Sequence, residues 1–256
     1  MSIRCIPSCV ALAALSLTAF ASADFMPEFA QYAGGVIVNH RTGVQTEDKG
    51  DGFTDKAGSV VYDNTTSATS LAFSSTEVLT RTYGDRCNTA GTGILDSFKF
   101  SIFNSGSSAG TLVSATVLLS FASFDAVSGT ATALGSFSST VTFSSPLGAG
   151  FYSTVTATDL SSLGINLSST SLLVTQKITA KTGNASRTGV VSLTPVTVGS
   201  SPTSFYQSSP TVAAGFYTSA SGAVDLIYQI GVVPVPAPGA VALIGLAGMV
   251  TSRRRR

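Results

Sequence analysis

The sequence contains no tryptophan and a single histidine, and only 11% of its 256 residues are charged. A Ser-His-Asp hydrolase would need His40, the single histidine, as its base. In the segment VNHRTG, beside Arg41, His40 is expected to be an ordinary surface residue in a loop. The shortage of histidine therefore argues against this class of enzyme.

Cysteine is nearly as scarce, with three in the chain. Cys5 and Cys9 lie near the N-terminus, so the remainder offers one cysteine and one histidine, too few for a zinc-type cluster. Cys87 stands in YGDRCNTAG among polar neighbours such as Asp85 and Arg86, which predicts an exposed loop position. Without an intrachain partner, Cys87 would be a free thiol or form an intermolecular bridge.

The N-terminal segment, residues 1–23, is typical of a secretory signal peptide. A basic residue near the start is followed by an apolar run over 10–20 and by the small residues Ala21 and Ala23. About eleven apolar residues are too few to span a bilayer. The pattern predicts a signal helix, cleavage before Asp24, and export of the chain.

The C-terminus has three consecutive parts: a Pro-rich stretch, an apolar run over 239–250 and a basic cluster. As a helix the apolar run would reach only about 18 Å, whereas a relaxed span needs around 20 residues. Each arginine costs several kcal/mol to carry into hydrocarbon, so the cluster would stop translocation and stay cytoplasmic. The residues of the Pro-rich stretch and of the basic cluster that form this candidate signal are Pro236, Ala237, Pro238, Arg253, Arg254, Arg255 and Arg256. Residues 233–256 therefore predict a marginal, transient membrane anchor with a short hydrophobic helix.

This order of parts resembles the PEP-CTERM sorting tail of exported bacterial proteins, with Ala237 standing where glutamate is usual. The resemblance covers the tail alone. It implies processing by exosortase, a membrane-embedded cysteine peptidase that removes such tails. It also implies delivery to the cell surface or extracellular matrix, with exopolysaccharide as a candidate partner.

Residues 24–232 are expected to form one domain. The region is rich in Ser and Thr, yet it holds all but Phe20 of the chain's 15 phenylalanines and many aliphatic residues, which can build a core. Apolar and polar residues alternate strictly in several segments, which predicts half-buried antiparallel strands. They are 97–103, 112–121, 137–143, 151–157, 171–180 and 223–232. We predict an all-β fold, an antiparallel β-sandwich of jelly-roll type.

The charge balance bears on possible partners. Removing Arg4 and the four terminal arginines leaves nine basic residues against 13 acidic ones. A net negative chain lacks the basic patches that nucleic acids and anionic surfaces require. The sequence predicts a secreted, non-enzymatic surface or matrix protein without a cofactor. A carbohydrate-binding module and a secreted hydrolase remain as alternatives.

The acidic stretch TEDKGDGFTD is a candidate for a calcium site or a catalytic carboxylate pair. Glu47, Asp48, Asp51 and Asp55 could supply oxygens to calcium, or a carboxylate pair for glycoside hydrolysis. The EF-hand spacing fails, because glycines stand where ligands are needed. We expect a polar loop that does not bind calcium tightly.

Two aromatic pairs are the candidates for a sugar-binding surface. Phe205-Tyr206 and Phe216-Tyr217 lie in surroundings rich in Pro, Gly and Ser. Adjacent residues of an extended strand point to opposite sides, so one member of each pair could be exposed. Core packing remains the simpler interpretation of both pairs.

Overall fold

The computed structural model describes residues 28–48, 58–65, 70–193, 195–218 and 224–235. Within these ranges the chain forms sixteen β-strands and one 3-10 turn, η1 (Ser161–Leu163). No helix of this described part has the length and apolar character needed to cross a membrane. The predicted signal helix and C-terminal helix lie outside the described residues. The prediction of an all-β protein is confirmed.

Ten strands form the larger sheet. They are β1 (Glu28–Phe29), β2 (Gln31–Asn39), β3 (Gln45–Asp48), β4 (Ser59–Asp63), β5 (Ser70–Ser75), β7 (Gly93–Asn104), β10 (Phe151–Thr158), β11 (Asn166–Leu167), β13 (Thr188–Leu193) and β16 (Tyr228–Val233). The main order is β1-β5-β13-β7-β10-β2-β3, and β16 lies between β4 and β7. Four strands, β10, β11, β13 and β16, pair with β7, which is therefore the organising strand of this sheet.

Six strands form the smaller sheet, in the order β15-β14-β6-β12-β8-β9. They are β6 (Thr82–Asn88), β8 (Leu112–Asp125), β9 (Thr130–Leu147), β12 (Ser171–Gly183), β14 (Ser204–Ser208) and β15 (Gly215–Thr218). All pairings in this sheet are antiparallel. Its edge strands are β9 and β15.

The two sheets share one apolar core. Phe98 of the larger sheet meets Phe121 of the smaller one edge-on, with ring centroids 5.1 Å apart. Further along, Phe73 stacks on Phe205 at 5.5 Å. All four rings belong to this core, and Phe98 alternates with Ser97 and Lys99, so the period-two pattern of β7 places its apolar face inward.

Two details differ from the sequence prediction. First, β2 and β10 run parallel, with Val36 opposite Val155, so the strands are not all antiparallel. Parallel neighbours need a long crossover, and the residues between these two strands supply it. Second, Leu112 is buried while Val113 is half-buried, because the β8–β9 register shifts there and reverses the alternation.

Candidate functional site

The residues of the two predicted processing signals lie outside the described part of the chain. This applies to Ala21, Ala23 and Asp24 at one end. It applies equally to 236–256, which holds the Pro-Ala-Pro stretch and the arginine cluster. Next to that tail, Pro234 and Val235 are exposed directly after β16.

The acidic stretch is partly described. Asp48, at the end of β3, forms an ion pair with Lys99 of β7 at 3.4 Å. Glu47 accepts a hydrogen bond of 2.8 Å from Ser144. Asp51 and Asp55 lie among the residues that are not described. In the described ranges, no group of three or more His, Cys, Asp or Glu side chains is arranged to hold a metal ion.

His40 lies in the turn that follows β2 and is half-buried. Its ring packs edge-on against Phe137, with centroids 5.6 Å apart, and its backbone N–H donates to the carbonyl of Thr158. The imidazole therefore helps to cover the end of the core.

The aromatic pairs are buried, which contradicts an exposed sugar platform. Phe205, Tyr206, Phe216 and Tyr217 are all less than 9% exposed. The members of each pair do point to opposite sides: Phe205 and Tyr217 join the main core, while Tyr206 and Phe216 join a second cluster. That second cluster is covered by the guanidinium of Arg86, which lies 5.7 Å from the ring centre of Phe216.

The predicted exposed loop position of Cys87 was wrong, whereas the free thiol was one of its two predicted states. Cys87 lies in β6 and is fully buried. Tyr83, Asp85 and Cys87 occupy alternate positions of the strand and are all buried, so the segment follows the strand period although several of its residues are polar. A side chain in this position cannot reach a second molecule, and the folded chain forms no intermolecular bridge through it.

The most unusual feature of the core is a cluster of ionisable side chains around Asp85. We call it the Asp85 cluster; its members are Tyr62, Asp85, Cys87, Asp225 and Tyr228. Four of them are fully buried: Tyr62, Asp85, Cys87 and Tyr228. They come from β4, β6, β16 and the segment that leads into β16, so the cluster spans both sheets.

Asp85 is the best-connected member. Its Oδ2 accepts a hydrogen bond of 2.8 Å from the backbone N–H of Leu226. Its Oδ1 accepts from the N–H of Arg86 at 2.7 Å and from the hydroxyl of Ser201 at 3.0 Å. The carboxyl thereby links the smaller sheet to two segments that approach it from the larger one.

Burial is the largest influence on the pKa values of this cluster. Burial is the main reason why the pKa of Asp85 lies well above its usual range, and the nearby charge of Asp225 adds to it. The hydrogen bonds to Asp85 act in the opposite direction but are outweighed. Burial, with Asp85 as the next cause, likewise raises the pKa of the Cys87 thiol.

The two tyrosines follow the same rule. Burial raises the pKa of Tyr62 and of Tyr228 above that of free tyrosine. The hydroxyl of Tyr62 interacts with the thiol of Cys87. The hydroxyl of Tyr228 and the Oδ1 of Asp225 make no hydrogen bond within the described part of the chain. A buried polar group without a partner lowers the free energy of unfolding by about 1–3 kcal/mol, so the cluster destabilises the fold.

The members of the Asp85 cluster are enclosed, and burial raises the pKa of each of its ionisable groups. A thiol with a raised pKa is a poorer nucleophile, because less of it is present as thiolate. The arrangement makes stability depend on pH rather than presenting a reactive group to a substrate.

A second polar cluster lies beside the same strand. Arg81 is 2% exposed and pairs with Glu77 at 3.0 Å. It also donates to Gln207 at 3.1 Å and to Ser75 at 3.2 Å. The guanidinium thus joins β5, β6 and β14, a role that the sequence did not reveal because Arg81 sits in an ordinary polar turn.

Comparisons with known proteins do not indicate a function for these residues. The chain matches no protein-family model, and searches of curated proteins and of solved structures also found no match. Function has to be argued from the residues of the chain itself.

Proposed function

We propose that this protein is an exported, non-enzymatic component of the bacterial cell surface or extracellular matrix. Its C-terminal tail holds it transiently in the inner membrane and is removed by an exosortase-type peptidase. The β-rich region, residues 24–232, is the delivered part, and exopolysaccharide is its candidate partner.

The observation that carries the proposal is the three-part tail. Pro236 and Pro238 resist helix formation, the run over 239–250 is too short for a relaxed span, and four arginines block complete translocation. A signal peptide at the opposite end supplies the export that such a tail presupposes. The exposed Pro234 and Val235 favour access of a peptidase to the segment that follows β16.

The non-enzymatic part of the proposal is supported by the placement of the reactive groups. Asp85 and Cys87 are enclosed, and the imidazole of His40 packs against an aromatic ring. The two sheets with a shared core are also what a jelly-roll-like sandwich requires, which we propose as the finer description of the fold. Such a fold suits a structural or adhesive role outside the cell.

The test is the intact mass of the protein recovered from the surface of the producing cells. We expect a species that begins at Asp24 and has lost Arg253 to Arg256. Replacing Pro236 and Pro238 by alanine should leave the tail attached, because the stiff segment before the apolar run is lost.

The matched control is replacement of Ser168, an exposed residue remote in sequence from both ends, by alanine. This variant should be processed like the wild type. A wild-type species that still ends in Arg256 would contradict removal of the tail. A species that retains residues 1–23 would contradict cleavage of the signal peptide.

A further inference from the structure

The edge strand β9 lies at the rim of the smaller sheet. It pairs with β8 on one side, and no strand of the described part of the chain pairs with its other side. It is 18 residues long and contains no charged residue. Natural proteins commonly protect such edges with charges, bulges or very short strands, since an open edge is a template for another strand.

The open side already binds a peptide-like group. The side-chain amide of Gln45 donates to the carbonyl of Thr140 at 3.1 Å and accepts from the N–H of Thr142 at 2.9 Å. A neighbouring backbone would form the same pair of bonds. The backbone groups of Thr140 and Thr142 therefore face outward and are available to a hydrogen-bonding partner.

The same side continues beyond the reach of Gln45. In an antiparallel strand alternate residues direct both N–H and C=O to one side, so Ser136 and Ser138 share the outward side with Thr140. The register with β8 is regular over this stretch, with Ser136 opposite Ser120 and Ser138 opposite Leu118. Neither serine has an outward backbone partner among the described residues.

We propose that a second copy of this chain pairs with the open edge, adding its own β9 antiparallel to the first, and that Gln45 competes with this pairing. The strand is uncharged, so a copy related by a two-fold axis opposes no like charges. Exposed Ser and Thr side chains of the two strands would lie opposite each other and exchange hydrogen bonds. Thr116 and Thr140 already do so within one chain, at 2.9 Å.

The pairing leaves the core unchanged. The core residues of β9, among them Phe137, Val141 and Phe143, remain on the inner face. Two side chains of β3 lie against β9 and have to move: Gln45 leaves its two backbone partners, and Glu47 leaves the hydroxyl of Ser144.

The test is sedimentation velocity over a range of concentrations, on protein recovered from the producing cells. Wild type should form dimers at high concentration. Gln45→Ala, which frees Thr140 and Thr142, should do so at about tenfold lower concentration, as expected for the loss of one or two competing hydrogen bonds.

Two variants at Ser138 should remove the dimer. Ser138→Pro deletes an outward N–H but none of the bonds to β8, and edge strands tolerate proline. Ser138→Lys would bring two like charges together in the dimer while keeping the backbone N–H. This variant therefore tests the proposal even if the proline variant fails to fold. Ser168→Lys is the control for added charge and should behave like the wild type.

Monomers at every concentration in wild type and Gln45→Ala would overturn the proposal. So would dimers that persist unchanged in both Ser138 variants. These outcomes are independent of tail processing, which is read from the mass of the chain ends.

Discussion

At the scale of single residues, Asp85 shows how burial can outweigh hydrogen bonding. Three donors, from Leu226, Arg86 and Ser201, would stabilise its anion, yet its pKa is raised well above the usual range because the group is buried. A carboxyl whose pKa is higher in the folded than in the unfolded state stabilises the fold fully below the unfolded pKa, near 4. That contribution is lost as the pH rises toward the folded pKa.

We therefore predict that Asp85→Asn flattens the pH dependence of stability. Wild type should lose free energy of unfolding as the pH rises from about 4, at up to about 1.4 kcal/mol per pH unit from this group. The asparagine variant cannot ionise and should lack this slope. Urea midpoints between pH 4 and pH 9 measure it.

Asp125→Asn provides the comparison for the Asp85 experiment. Asp125 is exposed, and hydrogen bonds, first from Ser128, lower its pKa. Its contribution is lost only as the pH falls below the usual range, so this variant should retain the wild-type slope above pH 5. An Asp85→Asn profile parallel to that of the wild type would contradict the role given to Asp85.

Cys87 leads to a second prediction at this scale. In the native protein the thiol should be inert toward a chromogenic disulfide reagent, because it is fully buried and its pKa is raised. Denaturant should expose it to rapid reaction. Cys87→Ser serves as the blank, and rapid labelling of native wild type above that blank would show the burial to be wrong.

At the scale of strands, β13 depends on a glycine at a close approach. A Cβ at Gly189 would lie 1.7 Å from the carbonyl oxygen of Phe73 in β5. Gly189 also pairs with Phe103 of β7, so it joins three strands where they come together. The position has no room for any side chain.

Gly189→Ala should accordingly destabilise the fold by about 3 kcal/mol or more, since backbone has to move in two strands. Gly148→Ala is the matched control, because a Cβ there meets only the ring of Phe151 at an ordinary 3.6 Å. Urea unfolding of both variants measures the difference. Equal urea midpoints for the two variants would contradict the predicted destabilisation at Gly189.

The strands also show what the sequence could and could not predict. Alternation located β7, β8, β9, β10, β12 and β16, because apolar residues recur at every second position in each of them. It failed for β6, since inward polar residues such as Asp85 imitate a loop. It also could not assign neighbours: the parallel pairing of β2 with β10 depends on contacts between residues far apart in the chain.

At the scale of the whole molecule, the candidate site also has features that could be predicted from the sequence and features that could not. The sorting tail could be proposed from the sequence because its three parts are contiguous, and it lies outside the described residues. The Asp85 cluster could not, since Tyr62, Asp85 and Tyr228 come from three distant strands and meet only in the folded core. The Gln45 contact with β9 was hidden for the same reason, because it joins the edges of two different sheets.

The position of β16 sets the order in which the molecule can be completed. This last described strand lies between β4 and β7, so residues near 60 and near 97 become neighbours only through residues 228–233. The larger sheet can be completed only after Val233 has been synthesised. Until then β4 and β7 each have an edge whose hydrogen-bonding groups lack their β16 partner. Long-range pairing of this kind slows folding and prolongs the exposure of incomplete chains. We expect folding to be post-translational, with a nascent chain that depends on other molecules to shield it until its final strand arrives.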